Sequence, residues 1–377
     1  MVVYKDLVKK VPVPVDKKTK QKDYLPNGIL PIIDQGQEMI GGYTDDSCKE
    51  VICDLPVIVF GDHTKAVKYI DFPFGAGADG IKVLQPKEGI LPKCLFYITQ
   101  YLVLRLEDKG YARHYQYIEK KELEIPPIPE QARIISRIEE LFSQLDNGAE
   151  TLQKTKQQLA VYRQAVITSA FPSIDQNNWK RLDEISEIIG GITKGRNLEG
   201  QETIELPYLR VANVQNGFLD LSEMKTIILK KTEKEKYLLQ YGDVLYTEGG
   251  DRDKLGRGTV WRNEIDECVH QNHVFKARLN QSVAIPDYVA YWSMSTFARN
   301  YFYAKGKQSV NLASINKTVL SALTLPVPSL EEQEQVVANI RERLSVCDSI
   351  EQTVDTALQQ AEAMRQSILK QAFEGRL

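Results

Sequence analysis

One segment of this chain occurs twice. Residues 130–171, EQARIISRIEELFSQLDNGAETLQKTKQQLAVYRQAVITSAF, recur without a gap 202 positions later as EQEQVVANIRERLSVCDSIEQTVDTALQQAEAMRQSILKQAF. About thirteen of some forty positions are identical, among them Glu130/Glu332, Gln131/Gln333, Asp146/Asp348, Arg163/Arg365, Gln164/Gln366 and Phe171/Phe373. Chance gives only a few identities over such a length, so the segment is a duplication, and it fixes the plan of the chain. Both copies are helical by pattern. Ile138, Leu141, Leu145, Gly148, Leu152, Thr155, Leu159, Tyr162 and Val166 keep an unbroken 3-4 spacing, and so do Ile340, Arg343, Cys347, Ile350, Val354, Ala357, Ala361, Met364 and Ile368. That period marks a coiled-coil seam. A helix of this size is about 60 Å long at 1.5 Å per residue. Gly148, Thr155 and Arg343 weaken the seams, so each helix needs a partner, and its own copy is the obvious one.

A proline run blocks helix upstream of each copy: Ile125-Pro126-Pro127-Ile128-Pro129 and Leu325-Pro326-Val327-Pro328. Pro172 closes the first helix. The segments before the helices also match, loosely. Pro56–Phe60 parallels Asp243–Tyr246, Gly80–Leu84 parallels His273–Ala277, and Leu91–Tyr97 parallels Ile285–Tyr291. Short β-branched and aromatic runs broken by Gly, Asn and Asp indicate strands and turns, while 95–104 and 288–303 read as helical. The expected fold class is α+β, with two pseudo-symmetric mixed α/β domains separated by two long helices. The expected boundaries are 1–125, 126–172, 173–325 and 326–377.

At 377 residues the chain is too long for one ordinary core. No apolar run approaches the roughly 20 residues needed to span a bilayer. The N-terminal stretch lacks the apolar region of a signal peptide. Five scattered cysteines, an odd number without a Cys-x-x-Cys pair, read as reduced thiols and place the protein in the cytoplasm. The net charge of −3 gathers in one segment: 1–125 and 126–172 balance, 173–325 carries +1, and 326–377 carries −4. Charge therefore permits a DNA partner without demanding one. Catalytic motifs fail on inspection. Gly190–Asn197 has the outline of a phosphate loop but lacks its closing Lys-Ser/Thr. Phe74-Gly75-Ala76-Gly77 has no strand–loop–helix frame. No Asn-Pro-Pro-Tyr or Gly-x-Ser-x-Gly occurs, and Cys268, His270 and His273 lack a fourth metal ligand. The chain reads as non-catalytic, with no cofactor or metal of its own.

The plan resembles the specificity subunit of type I restriction–modification systems. Pro126-Pro127-Ile128-Pro129-Glu130-Gln131 running to Arg163-Gln164 and Ala170-Phe171 carries the resemblance, as does Pro326-Val327-Pro328 with Glu332-Gln333 running to Arg365-Gln366 and Ala372–Leu377. Tyr241–Leu245 and the passage Gly306, Gln308, Asn311, Leu312, Ile315 match as well. The resemblance implies two target-recognition domains that each read half of a split site on double-stranded DNA. It implies helices paired as an antiparallel coiled coil, two docked methyltransferase subunits, and restriction/translocase subunits beyond them. S-adenosylmethionine and ATP would belong to those partners.

Base contacts are expected from loops rich in Arg, Lys, Gln, Asn and Gly. In the second domain these are Thr247–Arg257, with Glu248, Arg252, Lys254 and Arg257, together with Lys194, Arg196, Lys305, Lys307, Gln308 and Asn311. In the first they are Asp62, His63, Thr64, Lys65, Lys68, Arg113, His114 and Gln116. Lys17, Lys18, Lys20 and Lys22 would meet phosphates. Three other readings stay open: a coiled-coil adaptor whose heads bind proteins, a stand-alone enzyme, and the specificity chain of a restriction system with a fused methylase–nuclease.

Overall fold

The computed structural model describes residues 1–78, 80–107, 110, 112–171, 178–250, 255–308 and 313–376. The chain divides into two units: Met1–Gln153 with Asp355–Leu377, and Lys154–Val354. The division falls within both long helices, Ile128–Ser169 and Leu330–Phe373.

In the first unit a four-stranded antiparallel sheet runs in the order Val8–Val11, Ile81–Pro86, Val57–Gly61, Val67–Ile70. Its side chains alternate between two cores, as the period of two in a strand requires. Ile58, Phe60 and Leu84 face the helix Pro92–Leu104 and the long-helix residues Ile134, Ile135, Ile138, Ile368, Leu369 and Ala372. Val57, Val59 and Val83 face the other way, onto Ile33, Phe74 and Ala76.

The second unit repeats the sheet, strand for strand: Ser186–Gly190, Val274–Leu279, Val244–Thr247, Gly258–Val260. Val244, Tyr246, Phe275 and Ala277 pack with Ile167, Phe171, Val337 and Ile340 of the long helices. Leu245 and Val274 face the opposite core with Trp261. The helical stretch expected over 288–303 is broken at Ser295 into Pro286–Met294 and Thr296–Lys305, because the Ser295 hydroxyl caps the second helix at Ala298 N.

Within each unit the long helices run antiparallel. In the second, Lys156 lies near Glu351, Arg163 near Asp348 and Tyr162 near Arg343, so one sequence falls as the other rises. In the first, Arg365 pairs with Asp146 and lies over the Phe142 ring. Ser329 and Glu332 start the second helix as a capping box, with Ser329 N donating to the Glu332 carboxylate at 3.0 Å and Glu332 N to the Ser329 hydroxyl at 3.3 Å.

Several seam positions differ from expectation. Tyr162, Ile350 and Met364 are 47%, 41% and 53% exposed. The expected seam positions beside them, Leu159, Val166, Cys347, Val354 and Ile368, stay buried.

The same glutamine bolts each helix to its own domain. Gln131 and Gln333 are both fully buried. The Gln131 carbonyl accepts from Leu91 N at 2.8 Å while its amide donates to the Gly89 and Pro126 carbonyls. The Gln333 carbonyl accepts from Ile285 N at 2.9 Å while its amide donates to the Val283 and Pro328 carbonyls.

The units part company beneath the sheet. The register that pairs Val59 with Val83 in the first pairs Leu245 with Lys276 in the second. Lys276 is fully buried, its ammonium donating to the Leu238 carbonyl at 2.7 Å. Arg278 beside it holds the buried Asp243 with two bonds of 2.8 Å. Nearby His270 is also fully buried, its Nδ1 2.6 Å from the Val274 carbonyl. Burial, aided by the Lys276 charge, pushes the imidazole down from 6.5 to about 4, although the Val274 bond opposes the shift. The unfolded chain then binds a proton below pH 6.5 that the folded chain refuses until about pH 4. Stability is therefore full above 6.5 and falls with pH, by about 3 kcal/mol from this residue. Chemical denaturation at pH 7 and pH 4.5 checks this: His270→Asn flattens the loss, and an unchanged slope in the variant contradicts it.

Candidate nucleic-acid interface

In the second unit, the loops singled out by sequence leave from one end of the sheet. The ladder fixes this, because Gly190 pairs with Phe275, Thr247 with Val274, and Tyr246 with Gly258. Segments 191–196, 248–250, 255–257 and 271–273 thus emerge together. Gly249 and Gly250 pair with Ser314 and Ala313, which also pair with Lys307 and Gln308, adding those two short strands to the cluster. A small antiparallel ribbon of backbone carries these residues.

Lys194, Lys305 and Lys307 are exposed there. Arg257 is half-buried, its guanidinium donating to Gln215 at 3.0 Å. Glu248 is bound to His273, Oε2 to Nδ1 at 2.6 Å. Arg196 makes a two-pronged bond to Glu233 at 3.1 and 2.9 Å, and its guanidinium holds that carboxyl below the usual range. Arg252, Lys254 and Asn311 lie outside the described residues, as does the side chain of Gln308.

The first unit builds a similar end. Gly61 pairs with Ile81 and Phe60 with Val67, so segment 62–66 and Gly80 emerge together. Asp62 ties them down. Its backbone N–H donates to the Gly80 carbonyl at 2.6 Å, its carbonyl accepts from His114 N, and its carboxylate accepts from Tyr115 N at 2.9 Å. His63 Nδ1 lies 3.2 Å from the Ala112 carbonyl. These bonds bring His63 and Lys65 beside Arg113 and Gln116, the last two exposed.

Lys68 is a correction. It is only 4% exposed, and its ammonium donates to the Asp34 carbonyl at 2.9 Å, with the Asp34 carboxylate 3.6 Å away. Burial lowers its pKa although Asp34 pulls the other way. A lysine so committed is internal structure. Asp62 and His114 are buried as well.

Sequence reading missed two loops. Gln35 and Gln37 reach the first cluster, where the Thr64 hydroxyl donates to the Gln35 carbonyl and the Gln37 amide to the Thr64 carbonyl. Gln271-Asn272-His273 reaches the second. Both are polar turns entering or leaving a strand, the type of segment that carries contacts. Among the described residues no group of His, Cys, Asp and Glu could hold a metal ion, and no helix is long and apolar enough to cross a membrane.

A family model described as type I restriction modification DNA specificity domain matches residues 5–159 and again 176–360. The EcoKI type I restriction enzyme specificity subunit of Escherichia coli strain K12 is 25% identical over 268 residues, 67% of this chain and 57% of its own length. The match thus spans less than two thirds of that relative. The EcoR124I/EcoR124II specificity subunit of Escherichia coli is 24% identical over 366 residues, 92% of this chain and 86% of its own. Two solved structures share the fold at 17% identity. A chain solved in work on complex assembly and conformational transition of the type I R-M system gives a TM-score of 0.66, with 100% of this chain and 97% of that one covered. The HsdS subunit from Thermoanaerobacter tengcongensis gives 0.52, with 100% and 96% covered.

Proposed function

The chain belongs to the type I restriction modification DNA specificity family, and from that premise we propose that it reads a bipartite site on double-stranded DNA, one half with each unit. It acts in the cytoplasm without chemistry of its own. Two methyltransferase subunits dock on it, restriction/translocase subunits join them, and S-adenosylmethionine and ATP are bound by those partners. The observation that carries this reading is the double match of the family model, once over each copy of the repeated plan. Support comes from the loop clusters, each at the same end of an equivalent sheet. The four segments 1–125, 126–172, 173–325 and 326–377 serve as reader, spacer, reader, spacer.

Lys194, Lys305 and Lys307 meet phosphates beside the second half-site, and Arg252, Lys254, Arg257, Gln308 and Asn311 contact its bases. Glu248 and Arg196 position neighbours. His63, Lys65, Arg113 and Gln116 serve the first half-site. Neutralising a lysine that touches phosphate weakens binding to all sequences alike and lowers the salt slope by about 1 per contact. The test is fluorescence anisotropy of the chain assembled with its methyltransferase, on duplexes with and without the site, over a salt series. Lys194→Gln with Lys305→Gln and Lys307→Gln is expected to lower the slope by about 3 while the ratio of specific to random binding holds. No binding to any duplex by the wild-type assembly would refute the reading.

A further inference from the structure

The two units share one feature at the reading end of the sheet and differ in what they make of it. In the first, the residue after the Val57–Gly61 strand is Asp62, whose N–H donates to Gly80 and whose carbonyl accepts from His114 N at 2.8 Å. In the second, the residue after the Val244–Thr247 strand is Glu248, whose N–H donates to the His273 carbonyl at 2.9 Å and whose own carbonyl accepts from Ile315 N at 2.8 Å. Asp62 and Glu248 are thus equivalent, as are Gly80 and His273. The acid stands in both units, but the position opposite it differs. Gly80 has a φ of +73°, a backbone conformation that a residue with a side chain adopts only under strain. Asp62 turns inward, where it is 4% exposed.

In the second unit an imidazole fills that position and turns outward. His273 has a side chain 52% exposed, against 27% for Glu248. An ionised carboxylate only accepts, so Nδ1 carries the proton donated to Glu248 across 2.6 Å. In the neutral imidazole Nε2 then carries the lone pair. The Asn272 amide nitrogen lies 3.4 Å from Nε2, longer than the roughly 3.2 Å of a well-formed bond, so it leaves that lone pair to an incoming donor. The outcome is a single acceptor of fixed direction, set among Lys194, Arg257 and the Lys307 ribbon. A major-groove base edge offers such an acceptor one kind of partner, an exocyclic amino group: adenine N6 or cytosine N4.

We infer that His273, held in place by Glu248, reads one base pair of the second half-site by accepting a hydrogen bond at Nε2 from an exocyclic amino group. This rests on the function proposed above. Glu248 is a positioning residue, and its charge is spent on the imidazole rather than facing DNA.

The test is sequencing of methylated sites in cells carrying the full complex, wild type or variant, with thermal unfolding of each purified chain. His273→Ala is expected to relax one position of the second half-site by roughly tenfold, with the first half, the gap and the melting temperature unchanged. Whether an A·T or a G·C pair stood at that position decides between the two amino groups. Glu248→Ala relaxes the same position less, and His273→Gln, which keeps an acceptor, retains most of the preference. An unchanged motif in H273A, or an even loss over every position with the fold intact, overturns the assignment. A wild-type complex that marks no bipartite site overturns the underlying reading instead, so the two failures are distinct.

Discussion

Gln333→Leu is expected to lower the stability of the second unit by about 3 kcal/mol, and Gln131→Leu to do the same in the first. Leucine nearly matches glutamine in volume, so little cavity opens. The cost comes from polar groups left behind. Each glutamine satisfies one backbone N–H and two carbonyls, and each such group left buried without a partner costs about 1–3 kcal/mol. Water relieves part of this, which keeps the sum below the full penalty. Urea denaturation of each variant checks the figure, and a loss under about 1 kcal/mol would mean that the clamp is dispensable. The clamp also explains why the glutamine stands unchanged in both copies while neighbouring positions differ: one side chain fixes where the helix leaves the domain.

A larger effect on function is expected from lengthening the spacer. Four residues inserted between Glu150 and Gln158 add about 6 Å of helix, close to two base-pair steps. The unread gap in the DNA site should grow by one or two base pairs while both half-sites stay as they were. The insertion should be tolerated because this stretch is weakly buried: Gly148 is exposed with nothing near its Cβ direction, and Leu152 and Thr155 are half-buried. Sequencing of methylated sites reads the result. Altered half-sites with an unchanged gap would remove the ruler from the account.

The repeat makes the architecture legible in the sequence. Strands at 57–61 and 244–247, and at 81–86 and 274–279, lie where the matched apolar runs put them. The long helices begin at the proline runs. Burial of charge was harder to read. Lys68 sits in Val67-Lys68-Tyr69-Ile70, where alternation alone gives no sign that Asp34, thirty-four residues earlier, would fold over it. Asp243, Lys276 and Arg278 look like ordinary strand punctuation, yet they form a buried network because the Leu238 carbonyl happens to face them. In the sequence His273 reads only as a metal-ligand candidate, since its partner Glu248 is adjacent in the ladder and not in the chain. Long-range contacts decide these cases, and local pattern carries no trace of them.

The most direct measurement is a genome-wide map of methylated adenines in cells carrying the wild-type chain with its methyltransferase. Two unlike short sequences separated by a gap of constant length are the predicted result. One continuous sequence, or two halves at varying distances, would contradict the claim that a paired-helix spacer holds two different readers on the duplex.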